Sequence, residues 1–294
     1  MINLKPEVVA QIERVLSSVE MLLPKVAKAV DWKTCYAANW RRRSFSGYLE
    51  PVRVTDTIRL DQLLGVDEQK AIMVNNTRQF LNGYPANNAL LWGSRGTGKS
   101  SIVKALLNEF ASEGLRVIQV EKEDLVYIAE IFAAVEDLPY RFIMLCDDLT
   151  FEFGELSYKM LKSALDGSVY SAPENVLIYV TSNRRYLLPE YSSDHIGGKY
   201  VKGELQQSEV QDEKSSLSDR FGLWVAFHVF TQDRYLQAVQ LCFQQWSDKL
   251  GKPIPWSEDA ERAAIKWSHD KTKRCGRTAF QFSKNWVGKY LLKG

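Results

Sequence analysis

Near the start of the chain, apolar residues recur at helical spacing. Val8, Val9, Ile12, Val15, Leu16, Val19, Leu22 and Leu23 fall on one stripe and predict a helix. Pro6 suits the first turn of that helix, and Pro24 breaks or kinks it. The spacing reads as an N-terminal helical region over 1–60. From Leu60 the pattern changes to short apolar runs alternating with amphipathic stretches. Strands are predicted at Ala89–Trp92, Arg116–Val120, Arg141–Cys146 and Val176–Val180, with helices from Lys99 to about Ala111, over Asp124–Val135 and over Glu155–Leu165. This alternation implies an α/β core over 61–231, a largely parallel sheet flanked by helices. Residues 192–217 are polar and lack a period, which suggests a long loop or hairpin insertion. A strand-like run follows over Leu223–Phe230, and 232–294 reads as a helical lid.

Composition narrows the class without deciding it. At 294 residues, 45% hydrophobic and 25% charged, the chain has the make-up of a globular protein with room for a substantial core. Lys and Arg total 38 against 36 Asp and Glu, so bulk charge points to neither nucleic acid nor membrane. No run is long enough to cross a bilayer, and the N-terminus lacks a signal-peptide layout. The four cysteines are scattered without a C-x-x-C, which argues against a zinc site or disulfide framework and for a reducing cytoplasm. His228, in an apolar run, reads as a core histidine, and no metal-ligand spacing connects it to His195 or His269.

One motif carries specific chemistry. Gly93-Ser94-Arg95-Gly96-Thr97-Gly98-Lys99-Ser100 matches G-x-x-x-x-G-K-[ST] at every fixed position and lies between a strand and a helix. Glycines there let successive amides turn inward onto phosphate oxygens, and the helix adds its positive end. Lys99 is expected to reach the β- and γ-phosphates and the Ser100 hydroxyl to ligate Mg²⁺, with Ser101 also among the residues around the nucleotide. Some fifty residues on, the strand Phe142–Cys146 ends in Asp147-Asp148. A buried strand that delivers carboxylates beside a phosphate loop suits Asp147 to Mg²⁺ and Asp148 to the attacking water. A strand ending in an acidic turn is the plainer alternative.

Three further positions are less specific. Asn183 ends the strand Val176–Val180 plus Thr181-Ser182, where it could bond the γ-phosphate or serve as a turn or cap residue. Arg220, within Ser218-Asp219-Arg220-Phe221-Gly222, could reach a neighbour's γ-phosphate or form an Arg–Asp surface pair. Arg277 opens the last helix, where it could touch the nucleotide from the lid or sit in a solvated basic turn.

With these elements in order, residues 60–294 resemble AAA+ P-loop ATPases. More narrowly, Leu64–Lys70, Pro85–Asn88, Trp92–Ser100, Cys146–Leu149 and Leu217–Trp224 resemble an uncharacterised bacterial family of predicted ATPases with a domain of unknown function. The AAA+ resemblance implies a 5-1-4-3-2 sheet, a helical lid and nucleotide bound between subunits of a homo-oligomer. It implies Gly65 and Val66 near the adenine, Asn183 as sensor 1, Arg220 as arginine finger and Arg277 as sensor 2. The expected function is an ATPase that couples Mg²⁺-ATP binding and hydrolysis to a conformational or assembly change in an unknown protein or nucleic-acid partner. The rival is an ATP-gated switch or loader with slow hydrolysis, because Asp148 is one methylene shorter than the Glu common at that position. A small-molecule kinase fits the C-terminal helices poorly.

Overall fold

The computed structural model describes residues 29–43, 46–53, 57–152, 154–166, 172–188, 199–201, 204–206 and 217–292, with positions 11 and 14. Its elements are β1 (Ala37–Arg42), β2 (Gly47–Pro51), α1 (Asp67–Leu81), β3 (Ala89–Gly93), α2 (Lys99–Phe110), β4 (Leu115–Gln119), α3 (Ile128–Ala133), β5 (Arg141–Cys146), α4 (Leu156–Leu165), β6 (Val176–Ser182), β7 (Lys199–Val201), β8 (Glu204–Gln206), β9 (Leu223–Phe227), α5 (Gln232–Leu250), α6 (Glu258–Asp270) and α7 (Gly276–Leu291).

Seven strands form one sheet in the order β2-β1-β4-β5-β6-β3-β9. All neighbours run parallel except β2 against β1. Counted from β3 as the first core strand, β9-β3-β6-β5-β4 is the 5-1-4-3-2 arrangement. Central strands in such a sheet are buried on both faces, which explains why they read as continuous apolar runs. Leu90, Phe142, Met144, Ile178 and Val180 pack on one face with Leu125, Ile128 and Leu161. Leu91, Ile143, Leu145, Leu177 and Tyr179 pack on the other with Met73, Phe80, Ile102 and Leu106. A third cluster lies within the C-terminal helices, where Phe243, Phe282 and Val287 pack with Tyr235 and Ala264.

The expected helical region over 1–60 is corrected at residues 37–51, which are two strands. Ala38 and Trp40 are buried and alternate with less buried neighbours, the period of a strand. Gly47 opposite makes room for the Trp40 ring, because a Cβ there would lie 2.0 Å from its Cζ2. Of the helix-spaced stretch 8–23, only Gln11 and Arg14 are described, and both are helical. The 192–217 stretch contains the antiparallel pair β7–β8, with most of its remainder outside the described residues.

A buried guanidinium ties the N-terminal strands to the rest. Arg116 donates from Nε and Nη2 to the Trp32 carbonyl at 2.8 and 2.7 Å, and from Nη1 to the carbonyls of Ala111 and Leu115. Its charge lies over the rings of Tyr36 and Tyr140, at 4.9 and 4.2 Å. A second buried set joins α1 to the sheet: Asn76 donates to Tyr179 Oη at 3.0 Å, and Thr77 Oγ1 lies 3.2 Å from that oxygen.

A candidate nucleotide site at the strand ends

Strand register sets the site. Trp92 pairs with Ser182, Gly93 with Phe227 and Cys146 with Val180, so the carboxyl ends of β3, β5, β6 and β9 finish at one edge. Each delivers a different group there: the phosphate loop, Asp147-Asp148, Asn183 and Phe230. A crevice at the carboxyl ends of strands is where open α/β sheets bind ligands. Here it is a cavity of about 1040 Å³, walled by the loop on one side and α5 and α7 on the other.

Glycine is required where the loop starts. Gly93 has φ +132° and a Cβ on it would lie 2.0 Å from the Phe227 carbonyl oxygen, so strand β9 could not sit this close to any other residue. Gly96 has φ +82°, and its Cβ would meet Cys275 Sγ at 2.8 Å. The lid therefore touches the phosphate loop directly, and the Arg277 amide donates to the Gly96 carbonyl at 3.3 Å. Gly98 caps α2 with φ +108° and open space around it.

Lys99 is buried among carbonyls. Its Nζ donates to Gly93 O at 2.7 Å, Ser94 O at 2.9 Å and Asn183 Oδ1 at 3.2 Å. Burial lowers its pKa from the usual lysine range, while the nearby Asp148 and Asp147 charges act in the opposite direction. The Ser100 hydroxyl donates to Asp147 Oδ1, and so does Thr181 Oγ1 at 2.5 Å. Thr181 also accepts from the Asp148 amide at 2.9 Å, so one β6 hydroxyl fixes both acids. Asp148 itself has φ +53°, which turns it off the strand line. One of its oxygens accepts from Asn183 Nδ2 and the other from Arg95 Nη2 at 3.2 Å.

These contacts test whether Mg²⁺ fits. A hydroxyl and a carboxylate in contact beside the loop are hard oxygen donors, the kind that shares Mg²⁺ with nucleotide phosphates. Among the described residues no group of three His, Cys, Asp or Glu could form an all-protein cage. The donor set fits a phosphate-shared ion.

The other expected residues divide. Arg95, Gly96, Thr97, Gly98, Lys99, Ser100, Ser101, Asp147, Asp148, Asn183, Val66 and Arg277 line the cavity. Gly93 and Ser94 act from behind it through their carbonyls. Gly65, φ +71°, lies behind its wall, where a Cβ would be 3.5 Å from Phe230 and 3.4 Å from Arg234. Arg220 is not among the lining residues and donates to Asp166 at the end of α4. His228 is exposed, edge-on to Trp92, and so is no core histidine. Sequence reading missed Thr181 as the link between the acids, along with the lid wall of Phe230, Leu241, Trp246 and Phe280. The register of β6 on β5, which sets Thr181 beside Asp147, is the signal that could have found the first.

No curated protein matches the chain. Among solved structures, it resembles the Thermotoga maritima RuvB Holliday junction branch migration motor, at 16% identity over 77% of this chain and 63% of that one, TM-score 0.51. A point mutant of that protein matches at 14% identity over 80% and 67%, TM-score 0.53. AMPPCP-bound DnaA from Aquifex aeolicus matches at 16% identity over 83% and 68%, TM-score 0.49. The chain thus spans less than two thirds of the first structure's length. Such identities speak for the fold alone, which is that of AAA+ P-loop ATPases. No described helix is long and apolar enough to cross a membrane. The model of the family described as "Protein of unknown function (DUF815)" matches residues 33–290, and the chain belongs to that family.

Proposed function

We propose that the chain is an ATPase that couples Mg²⁺-ATP binding and hydrolysis to movement of its C-terminal helices, and through them to a change in assembly or in a macromolecular partner. The observation that carries this reading is the contact of the lid with the phosphate loop itself, Arg277 N–H to Gly96 O. A lid bonded to the loop that would hold the phosphates is placed to respond to them. Residues 232–294 are read as the moving unit on the sheet of 61–231.

In this reading the loop amides and Lys99 hold the β- and γ-phosphates. Ser100 and Asp147 would hold Mg²⁺, which when bound draws charge off the phosphate oxygens. A water oxygen bonds the γ-phosphorus while the bond to the bridging oxygen breaks, leaving ADP and inorganic phosphate. Asp148 takes the water's proton, and Asn183 orients the water. Val66 lies at the base end, and Arg277 responds to phosphate state from the lid. Arg220 lies outside its own chain's cavity, which supports a role across a subunit boundary in a homo-oligomer. The partner is a protein or a nucleic acid, and a reducing cytoplasm suits the four free thiols.

Turnover measured at concentrations that allow assembly tests the reading, with Asp148→Asn as control. Equal turnover in parent and variant would sink it. A second reading, an ATP-gated switch or loader with slow hydrolysis, is favoured by the short Asp148 side chain with both oxygens engaged. Particle size with ATP, ADP and no nucleotide distinguishes the two, since a switch changes size without brisk turnover.

A further inference from the structure

Four side chains form a continuous hydrogen-bonded chain beside the phosphate loop. Lys99 donates to Asn183, Asn183 donates to Asp148, and Arg95 donates to the second oxygen of Asp148. A carboxylate with both oxygens engaged is poorly placed to accept a proton from water. Its two partners differ in how readily they let go. Asn183 follows strand β6 and is also held by Lys99, whereas Arg95 stands at the exposed tip of the loop with its side chain 65% exposed. Exposed ion pairs contribute little, so this one is easily exchanged. A terminal phosphate offers a planar guanidinium more charge and more acceptors than one carboxylate oxygen, in a geometry that Arg matches.

We infer that Arg95 is a positioning residue that occupies Asp148 until a γ-phosphate takes its guanidinium and frees the carboxylate for water. The inference rests on the proposed ATPase reading and deepens it. Arg95 would make the acid available only when a triphosphate is present, and a diphosphate would leave the pair in place. The gate lies within one chain, separate from the role proposed for Arg220.

Calorimetry with ADP and with the non-hydrolysable methylene analogue of ATP tests this. Arg95→Ala should weaken the triphosphate about tenfold, the loss of one charge-assisted contact, and change ADP by less than about twofold. Arg95→Lys, which keeps the charge but not the planar fork, should recover only part of the preference. Asp148→Asn should tighten the triphosphate by releasing Arg95, and that gain should vanish when Arg95→Ala is added. A purely structural role for Arg95 would shift both nucleotides together. If Arg95→Ala weakens both nucleotides alike or neither, or if the Asp148→Asn gain persists without Arg95, the inference fails and the ATPase reading stands. A parent chain that binds neither nucleotide overturns both.

Discussion

The two ends of the cavity recognise by different physics. At the phosphate end the wall is amides, hydroxyls and charges: Lys99, Ser100, Asp147, Asp148 and Asn183. Toward the lid it gains apolar surface from Phe230, Leu241, Trp246 and Phe280, the last two stacked with ring centroids 5.8 Å apart, beside Gln245 and Lys249. A phosphate needs fixed donor types at fixed spacing, so that end leaves a motif in the chain. A flat apolar group needs only area and shape, which many side chains supply, so the lid end leaves none.

Variants at the two ends should therefore differ in kind. The largest effect belongs to Asp148→Asn, which should cut ATP turnover by about 10²–10⁴, the usual reach of a general base, with no loss of ATP binding. Phosphate release under saturating ATP measures it. Next comes Lys99→Ala, expected to weaken ATP by about a hundredfold through loss of charge-assisted contacts to phosphate. Titration calorimetry checks this, and unchanged affinity would remove the phosphate end from the account.

Gly96→Ala joins the two ends. Its Cβ cannot coexist with Cys275 Sγ at 2.8 Å, and φ +82° strains any L side chain. Nucleotide affinity should fall about tenfold, with a lid more open to protease, because the contact must part by a side chain's width. Limited proteolysis of C-terminal sites reads this directly. The smallest effect is expected from Phe280→Ala, about threefold weaker for ATP and ADP alike, since a stacked aromatic contributes on the order of 1 kcal/mol. A Phe280→Ala chain that discriminated between ATP and ADP would break the division between the ends.

Legibility followed the same line. Most core strands are continuous apolar runs, with β4 interrupted by Arg116, and the strands that carry the loop and the acids end in chemically marked turns, so the sheet, the loop and both acids could be read from residues alone. Strands β1 and β2 could not. Their alternation rests on Ala38 and Trp40, and Arg41 and Arg42 mask it. The stretch over Asp124–Val135 opens in a 3-10 helix, Lys122–Tyr127, before α3, a distinction that apolar spacing alone does not make. The contact of Cys275–Arg277 with Gly96 joins segments far apart in the chain and has no local pattern. Thr181 was visible as a residue, but its task depended on register.

Arg116 has a consequence for how this molecule can be cut. With the chain shortened to begin near residue 60, the guanidinium would lose both bonds to the Trp32 carbonyl and the cover of Tyr36. Only its Nη1 bonds to the Ala111 and Leu115 carbonyls and its contact with Tyr140 would remain, and a cation that loses acceptors is costly for a fold to keep. Residues 32–51 are thus a keystone for the sheet, and a minimal folding unit should begin no later than Trp32.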